Sequence, residues 1–189
     1  NPELPGCSHY SFETAGASDS KVFFEWFLTK GVENAGMVSF ESDFMNQNAN
    51  CVDEFVENPI HGFDEFLQGM ADAALGLGVP IQWCMASPNL VMASLNYPAV
   101  TNFRVSFDYC YGGSYDIGES SLLVWAVGAS PSKDTLWTTD NNRSATPGCD
   151  WTVDHEAVAA ELHVVLALMS TGYVALHIPE SFAGFRYSR

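Results

Sequence analysis

Stretches with the apolar spacing of a helix alternate with short runs of β-branched and aromatic residues along most of this chain. That alternation is the strongest constraint on the fold, because it calls for parallel strands joined by helical crossovers. SKVFFEWFLTKGV predicts a first helix, and GMVSFESDFM a strand that ends in acidic and polar side chains. FDEFLQGMADAALGLGV predicts an amphipathic helix whose last turn is broken by Gly76 and Gly78, and PIQWCMAS a buried strand. VMASLNY reads as a short helix, AVTNFRVSFDY as a third strand, GESSLLVWAVGA as a third helix and SKDTLWTTD as a fourth strand. DHEAVAAELHVVLALMSTG then predicts a long helix and YVALHI a last strand.

Such a pattern fits either a doubly wound sheet or a barrel. A doubly wound nucleotide-binding fold would place a glycine-rich phosphate loop after its first strand, and neither GxGxxG nor GxxxxGK[ST] occurs. A barrel is therefore the expected architecture. Its five strands fall short of the eight that close a (β/α)8 barrel, which commonly takes ~250 residues. The expectation is an α/β chain of 189 residues that forms a single portion of a TIM barrel, roughly its C-terminal five βα units, completed by other segments or subunits. Closure is what removes strand edges, so a partial barrel leaves edges to be covered.

Composition narrows the function. Seven basic against 23 acidic side chains give a formal charge of -16, which repels nucleic acid and anionic lipid surfaces. No apolar run approaches the ~20 residues that span a bilayer, so no membrane insertion is expected. The start, NPELPGCSHYSF, has neither an initiator Met nor a signal-peptide pattern and reads as a mature or internal beginning. Cys7, Cys51, Cys84, Cys110 and Cys149 fit no CxxC metal site. His155 and His163 share a predicted helix but stand eight residues apart, so no metal is expected. Asn142-Arg143-Ser144 is a glycosylation sequon and leans towards an extracellular or secretory, lysosomal-type compartment.

In a barrel the strand C-termini carry the chemistry. Those ends hold Glu41 and Asp43 in FESDF, Gln82 and Trp83 in IQWCMASP, Arg104 and Asp108 in FRVSFDY, Lys133 and Asp134 in SKDTLW, and His177 in ALHIPES. Carboxylates on different strands, interleaved with tryptophan, suit glycoside hydrolysis, in which aromatic faces hold sugar rings. Each acid taken singly is also an ordinary surface carboxylate, and Trp83, Trp125 and Trp137 fit the core better than a sugar platform, with Trp83 the best platform of the three.

The succession FESDF, IQWCMASP and FRVSFDYCYGGSYD resembles the clan of retaining glycosidases that contains the α-galactosidases and raffinose-synthase-like proteins. In that clan a KxD strand ends in the nucleophile, a later strand reads like SCEWP, and the next carries RxxxD before a DSW-like turn. The resemblance spans residues 37 to 140, and PSKDTLWTTD also resembles a stretch in uncharacterised algal and protist proteins of this general type. It implies Asp43 as the nucleophile and Asp108 as the acid/base, with Arg104 contacting substrate and Cys84 and Pro88 within the SCEWP-like segment. Glu41 stands where the clan has lysine, and Met85 and Ala86 follow Cys84. The resemblance also implies a disulfide between Cys51, eight residues after Asp43, and Cys84.

The implied chemistry is retaining hydrolysis, or transfer, of a glycan or glycoside, with no cofactor. Asp43 would attack the anomeric carbon as a carboxylate, while Asp108 would hold a proton for the leaving oxygen and then act as base towards water. Trp83, Glu41, Lys133 and Asp116 complete the expected substrate contacts. Asp116 is also an alternative acid/base, since it sits in a glycine-containing turn; Asp134 is a more remote one. A second possibility is a non-catalytic barrel that binds glycans or serves as a component of an assembly. Paired strand-end carboxylates open to a pocket would favour the enzyme, and carboxylates tied up in salt bridges the structural role.

Overall fold

The computed structural model describes residues 17–51, 61–106, 117–133, 136–137, 160–172 and 176–177. They form a mixed α/β arrangement with a small four-stranded sheet in the order β1-β2-β3-β4, namely Phe40–Ser42, Ile81–Trp83, Val100–Arg104 and Ser130–Ser132. Leu136–Trp137 (β5) and Leu176–His177 (β6) make a separate two-stranded parallel sheet. The helices are α1 (Ser20–Ala35), α2 (Met45–Cys51), α3 (Gly62–Leu77), α4 (Pro88–Ala93), α5 (Ile117–Ala126) and α6 (Ala160–Met169), with 3-10 turns at Ala17–Asp19 and Ser94–Asn96. No helix among the described residues is long and apolar enough to cross a membrane. The chain divides into two compact units, Asn1–Phe103 with Val127–Ala129, and Arg104–Ala126 with Ser130–Arg189.

In the first unit, β1 pairs parallel with β2 and β2 with β3, as the helical crossovers between them require. The registers Phe40↔Ile81, Glu41↔Gln82 and Ser42↔Trp83 continue as Gln82↔Asn102 and Trp83↔Phe103, with an irregularity between Ile81 and Gln82. Side chains in register share a sheet face. One face therefore carries Phe40, Ser42, Ile81, Trp83 and Phe103, and the other Glu41, Gln82 and Asn102.

Helices cover the first of these faces. Phe24 and Phe27 of α1 bring their rings to 6.0 and 5.6 Å from Phe40, and Phe24 meets Phe66 of α3 edge-on at 5.5 Å. Spacing explains the choice, since Ser20, Phe24 and Leu28 recur every four residues and all three are buried. In α3 the buried set is Gly62, Phe66, Leu67, Gly69, Met70, Ala71, Ala73 and Ala74, a wide stripe whose small members let α1 come close. Gly69 marks the tightest point: a Cβ there would collide with Ser20 Oγ and stand 2.6 Å from the Lys21 backbone nitrogen. Both helices stop at glycine in the left-handed region, Gly36 and Gly78, each at φ 66°.

Two boundaries differ from the sequence expectation, each for a local reason. The first strand begins only at Phe40, because the Met37 N–H donates to the Gly31 carbonyl at 3.1 Å and so belongs to the end of α1. The expected strand SKDTLWTTD contains Leu136–Trp137, a strand of the other sheet, while the fourth strand of the main sheet, Ser130–Ser132, overlaps only its first residue. α5 closes at Ala126, Gly128 follows at φ 85°, and the chain is extended again by Ser130.

Within the second unit, the Val105 N–H donates to the Ser132 carbonyl at 2.9 Å. Pro131 has no N–H to offer a neighbour, but its carbonyl accepts from both Thr171 and Gly172, at 3.1 and 2.9 Å. Ser132 and Lys133 are fully buried there.

Candidate functional site

The C-terminal ends of β1 and β2 are built alike. Two residues past each strand a bulky side chain sits in the left-handed region, Phe44 at φ 56° and Met85 at φ 55°. They are the two non-glycine residues at positive φ among the described residues. Such a conformation costs of order 1–3 kcal/mol for a non-glycine residue and persists only where its surroundings enforce it. The enforcing contacts are visible. Cys84 N–H donates to the Ser42 carbonyl at 2.9 Å, extending the ladder past Trp83. The first two amides of α2, Met45 and Asn46, donate back to the Cys84 and Met85 carbonyls at 3.3 and 3.1 Å. Those amides would otherwise be orphans of the helix start. The two strand ends are thus laced together through backbone alone, beneath a buried Ser42 Oγ that donates to Met45 Sδ at 3.2 Å.

Asp43 stands on this lacing. It is exposed, its Oδ1 accepts the Phe44 N–H at 2.6 Å, and its carbonyl accepts from Asn48 Nδ2 at 3.3 Å. Its carbonyl is thus held by Asn48 and one carboxylate oxygen by the Phe44 amide, while the residue remains exposed. Glu41 is also exposed, on the opposite face of β1 from Ser42.

Along the Glu41 face the polar character continues across the sheet. Gln82 is 9% and Asn102 1% exposed, and Asn102 Nδ2 donates to Gln82 Oε1 at 2.9 Å. Asn102 Oδ1 is buried without a hydrogen-bond partner among the described residues. A buried amide acceptor with no donor is an exception in folded proteins, because desolvation is then uncompensated.

The expected site residues separate into three groups. Asp43 and Glu41 sit at the end of β1 and on its exposed surface. Trp83 is next to them in register but is 0% exposed, its ring 5.8 Å from those of both Tyr97 and Phe103. Trp83 thus packs in the core, on the face of the sheet opposite Glu41, and a sugar platform there stays an expectation from the sequence. Arg104 ends β3, half-buried, in the second unit; Lys133 belongs to the same unit, 1% exposed, so its side chain is not open to a ligand as expected for a substrate contact. Asp108, Asp116, Asp134 and Asn142 lie outside the described residues. Cys84 is buried and Cys51 ends α2, but the Cys51 side chain is outside the described residues, so the expected disulfide rests on the sequence resemblance.

Nearby, Tyr97 is buried and its hydroxyl donates to Asp64 Oδ1 of α3. Burial first, then that hydrogen bond and the Asp64 charge, hold the phenol well above its ordinary value. This is a structural strut under Trp83, with no access for a ligand. Asn48, Phe44, Met85 and Asn102 were not legible as site residues from sequence. Asn102 alone left a signal, a polar residue inside an otherwise apolar strand core. Among the described residues no three His, Cys, Asp or Glu side chains gather as a metal site would need. The chain matches no family model, no curated protein and no solved structure.

Proposed function

We propose that this chain is a carbohydrate-acting protein built on part of a (β/α)8 barrel, and that it hydrolyses glycosides with retention through Asp43. The observation that carries the proposal is the position of Asp43. It is an exposed carboxylate at the C-terminal end of a parallel strand, and one of its oxygens accepts the amide of the left-handed residue that follows it. Strand C-termini are where α/β folds collect their chemistry, and strained backbone clusters at such sites. The parallel order β1-β2-β3 also agrees with the order of FESDF, IQWCMASP and FRVSFD in the glycosidase resemblance.

In this proposal Asp43 attacks the anomeric carbon and forms a covalent glycosyl ester. Asp108, the acid/base by the resemblance, protonates the departing oxygen and then removes a proton from the water that releases the sugar. Arg104, Glu41 and Asp116 contact the substrate. A chain this acidic suits a neutral sugar better than a polyanion. The remaining proposals are secretion, a glycan at Asn142, the Cys51–Cys84 bond and completion of the barrel by other segments or subunits.

The test is turnover of a panel of aryl glycosides with activated leaving groups. The unmodified protein is expected to release phenol from at least one, and Asp43→Asn to lose that activity by at least about 1,000-fold, since no ester can form. Activity that survives Asp43→Asn would refute the assignment.

One observation favours a second reading, a binding or assembly component without turnover. α1 leaves Val22, Phe23 and Trp26 exposed, at 68, 41 and 60%, beside its buried stripe. A helix apolar on both faces is usually covered on both. Silence across the glycoside panel, with a higher-order assembly in native mass spectra, would favour this reading.

A further inference from the structure

We infer that the amide pair Gln82–Asn102 is the inner wall of a binding site for a neutral, hydroxyl-rich ligand, with Asn102 Oδ1 accepting a hydrogen bond from a ligand hydroxyl. The inference rests on the proposed carbohydrate function for the ligand class, but not on turnover. Three observations support it. Register places Glu41, Gln82 and Asn102 in one row across three strands, so their side chains share a face. Exposure falls along that row, from open Glu41 through Gln82 at 9% to Asn102 at 1%. At its inner end Asn102 spends its Nδ2 on Gln82 Oε1, and its Oδ1 is left buried without a donor among the described residues.

The chemistry selects the ligand. The orphan is an acceptor, so its partner must donate. An ammonium or guanidinium would have to lose its water at an uncharged amide, an unfavourable exchange. A hydroxyl donates at small desolvation cost, and it can accept in turn from neighbouring donors. Glu41, at the open end of the row, is acceptor-only when ionised and suits a second hydroxyl of the same molecule. Sites built to bond a hydroxyl reject analogues that lack it, because the buried partner is then stranded. The row would thus confer a requirement for that hydroxyl, a property separate from the cleavage assigned to Asp43.

The test is direct binding by calorimetry, with galactose, glucose and glycerol as probes, on the unmodified chain and Asn102→Leu. At least one sugar is expected to bind the unmodified chain and to lose at least about tenfold on Asn102→Leu, the scale of one stranded buried hydrogen bond. Equal affinity for Asn102→Leu, or no binding of any probe to the unmodified chain, overturns the inference. Should Asn102→Leu fail to fold, crystals of the unmodified chain soaked in the same sugars decide. A sugar hydroxyl within hydrogen-bond distance of Oδ1 supports the site, and an ordered water there that no sugar displaces overturns it. Binding without turnover in any variant sinks the hydrolase proposal alone; turnover with Asn102→Leu unimpaired sinks this one alone.

Discussion

The two faces of the β1–β3 sheet are made from the same three strands and differ in what they bury. One carries Phe40, Ile81, Trp83 and Phe103, closed by the aromatic rings of α1 and by Tyr97. The other carries Glu41, Gln82 and Asn102, of which the two amides are buried as well. Strands of a parallel sheet covered on both sides tend to be apolar on both. A polar row on one face therefore gives up burial that hydrophobic residues would supply, which is the pattern expected when a face serves a ligand rather than stability. The contrast separates residues whose loss should unfold the chain from residues whose loss should leave it folded.

The largest effect belongs to the apolar face. Trp83→Ala is expected to destabilise by about 3–5 kcal/mol, since it empties a site closed by Tyr97 and Phe103. Chemical denaturation followed by circular dichroism measures it. A loss under about 1 kcal/mol would mean the helix-covered face is not the core.

Next comes the helix pair that covers this face. Gly69→Ala should cost about 1–3 kcal/mol, because its methyl meets the Lys21 backbone, which cannot step aside as a side chain would. Gly31→Ala is the control. Its methyl meets the Met37 side chain, most closely at the flexible thioether end, so the midpoint of denaturation should move far less. Equal losses for the two would contradict the close α1–α3 crossing.

Tyr97→Phe removes the bond to Asp64 at the margin of the same face and should cost about 1 kcal/mol. It also carries a pH signature. The folded chain holds the Tyr97 proton above the phenol's ordinary value of 10.0, so the unfolded chain loses that proton first as the solution turns alkaline. The stabilisation is complete below pH 10 and declines as pH rises beyond it. Tyr97→Phe should flatten that decline; an identical alkaline slope in both proteins would remove Tyr97 as its source.

The smallest effect belongs to the polar face. Replacing both amides, Gln82→Leu with Asn102→Leu, should leave stability within about 1 kcal/mol of the parent, because no buried partner is stranded when both go together. A loss as large as that of Trp83→Ala would make the amide pair a structural element and erase the difference between the faces.

Much of the first unit was legible in the sequence, because period and stop signals agreed. Phe24 and Leu28, four residues apart, announce the buried stripe of α1, and Gly36 and Gly78 stop the helices where the pattern ends. Asp43 was legible as a strand-end carboxylate for the same reason. Other features depend on contacts distant in sequence. Trp83 fits a platform or the core by its sequence, and its packing in the core is made by Tyr97 and Phe103, 14 and 20 residues away. The left-handed Phe44 and Met85 carry no glycine or asparagine signal, since backbone bonds between two loops enforce them. The displaced fourth strand followed from a glycine turn inside what the apolar pattern made a helix. Asn102 was hidden by its strand, where only register shows that it meets Gln82.

The most direct measurement is covalent trapping. The chain would be incubated with activated fluorosugars that form the glycosyl ester and release it slowly, then digested and mapped by tandem mass spectrometry. A single sugar adduct on the Asp43 side chain, absent from Asp43→Asn, is the result expected of a retaining hydrolase working at the end of β1. An adduct on another carboxylate, or phenol release with Asp43 unlabelled, would contradict it.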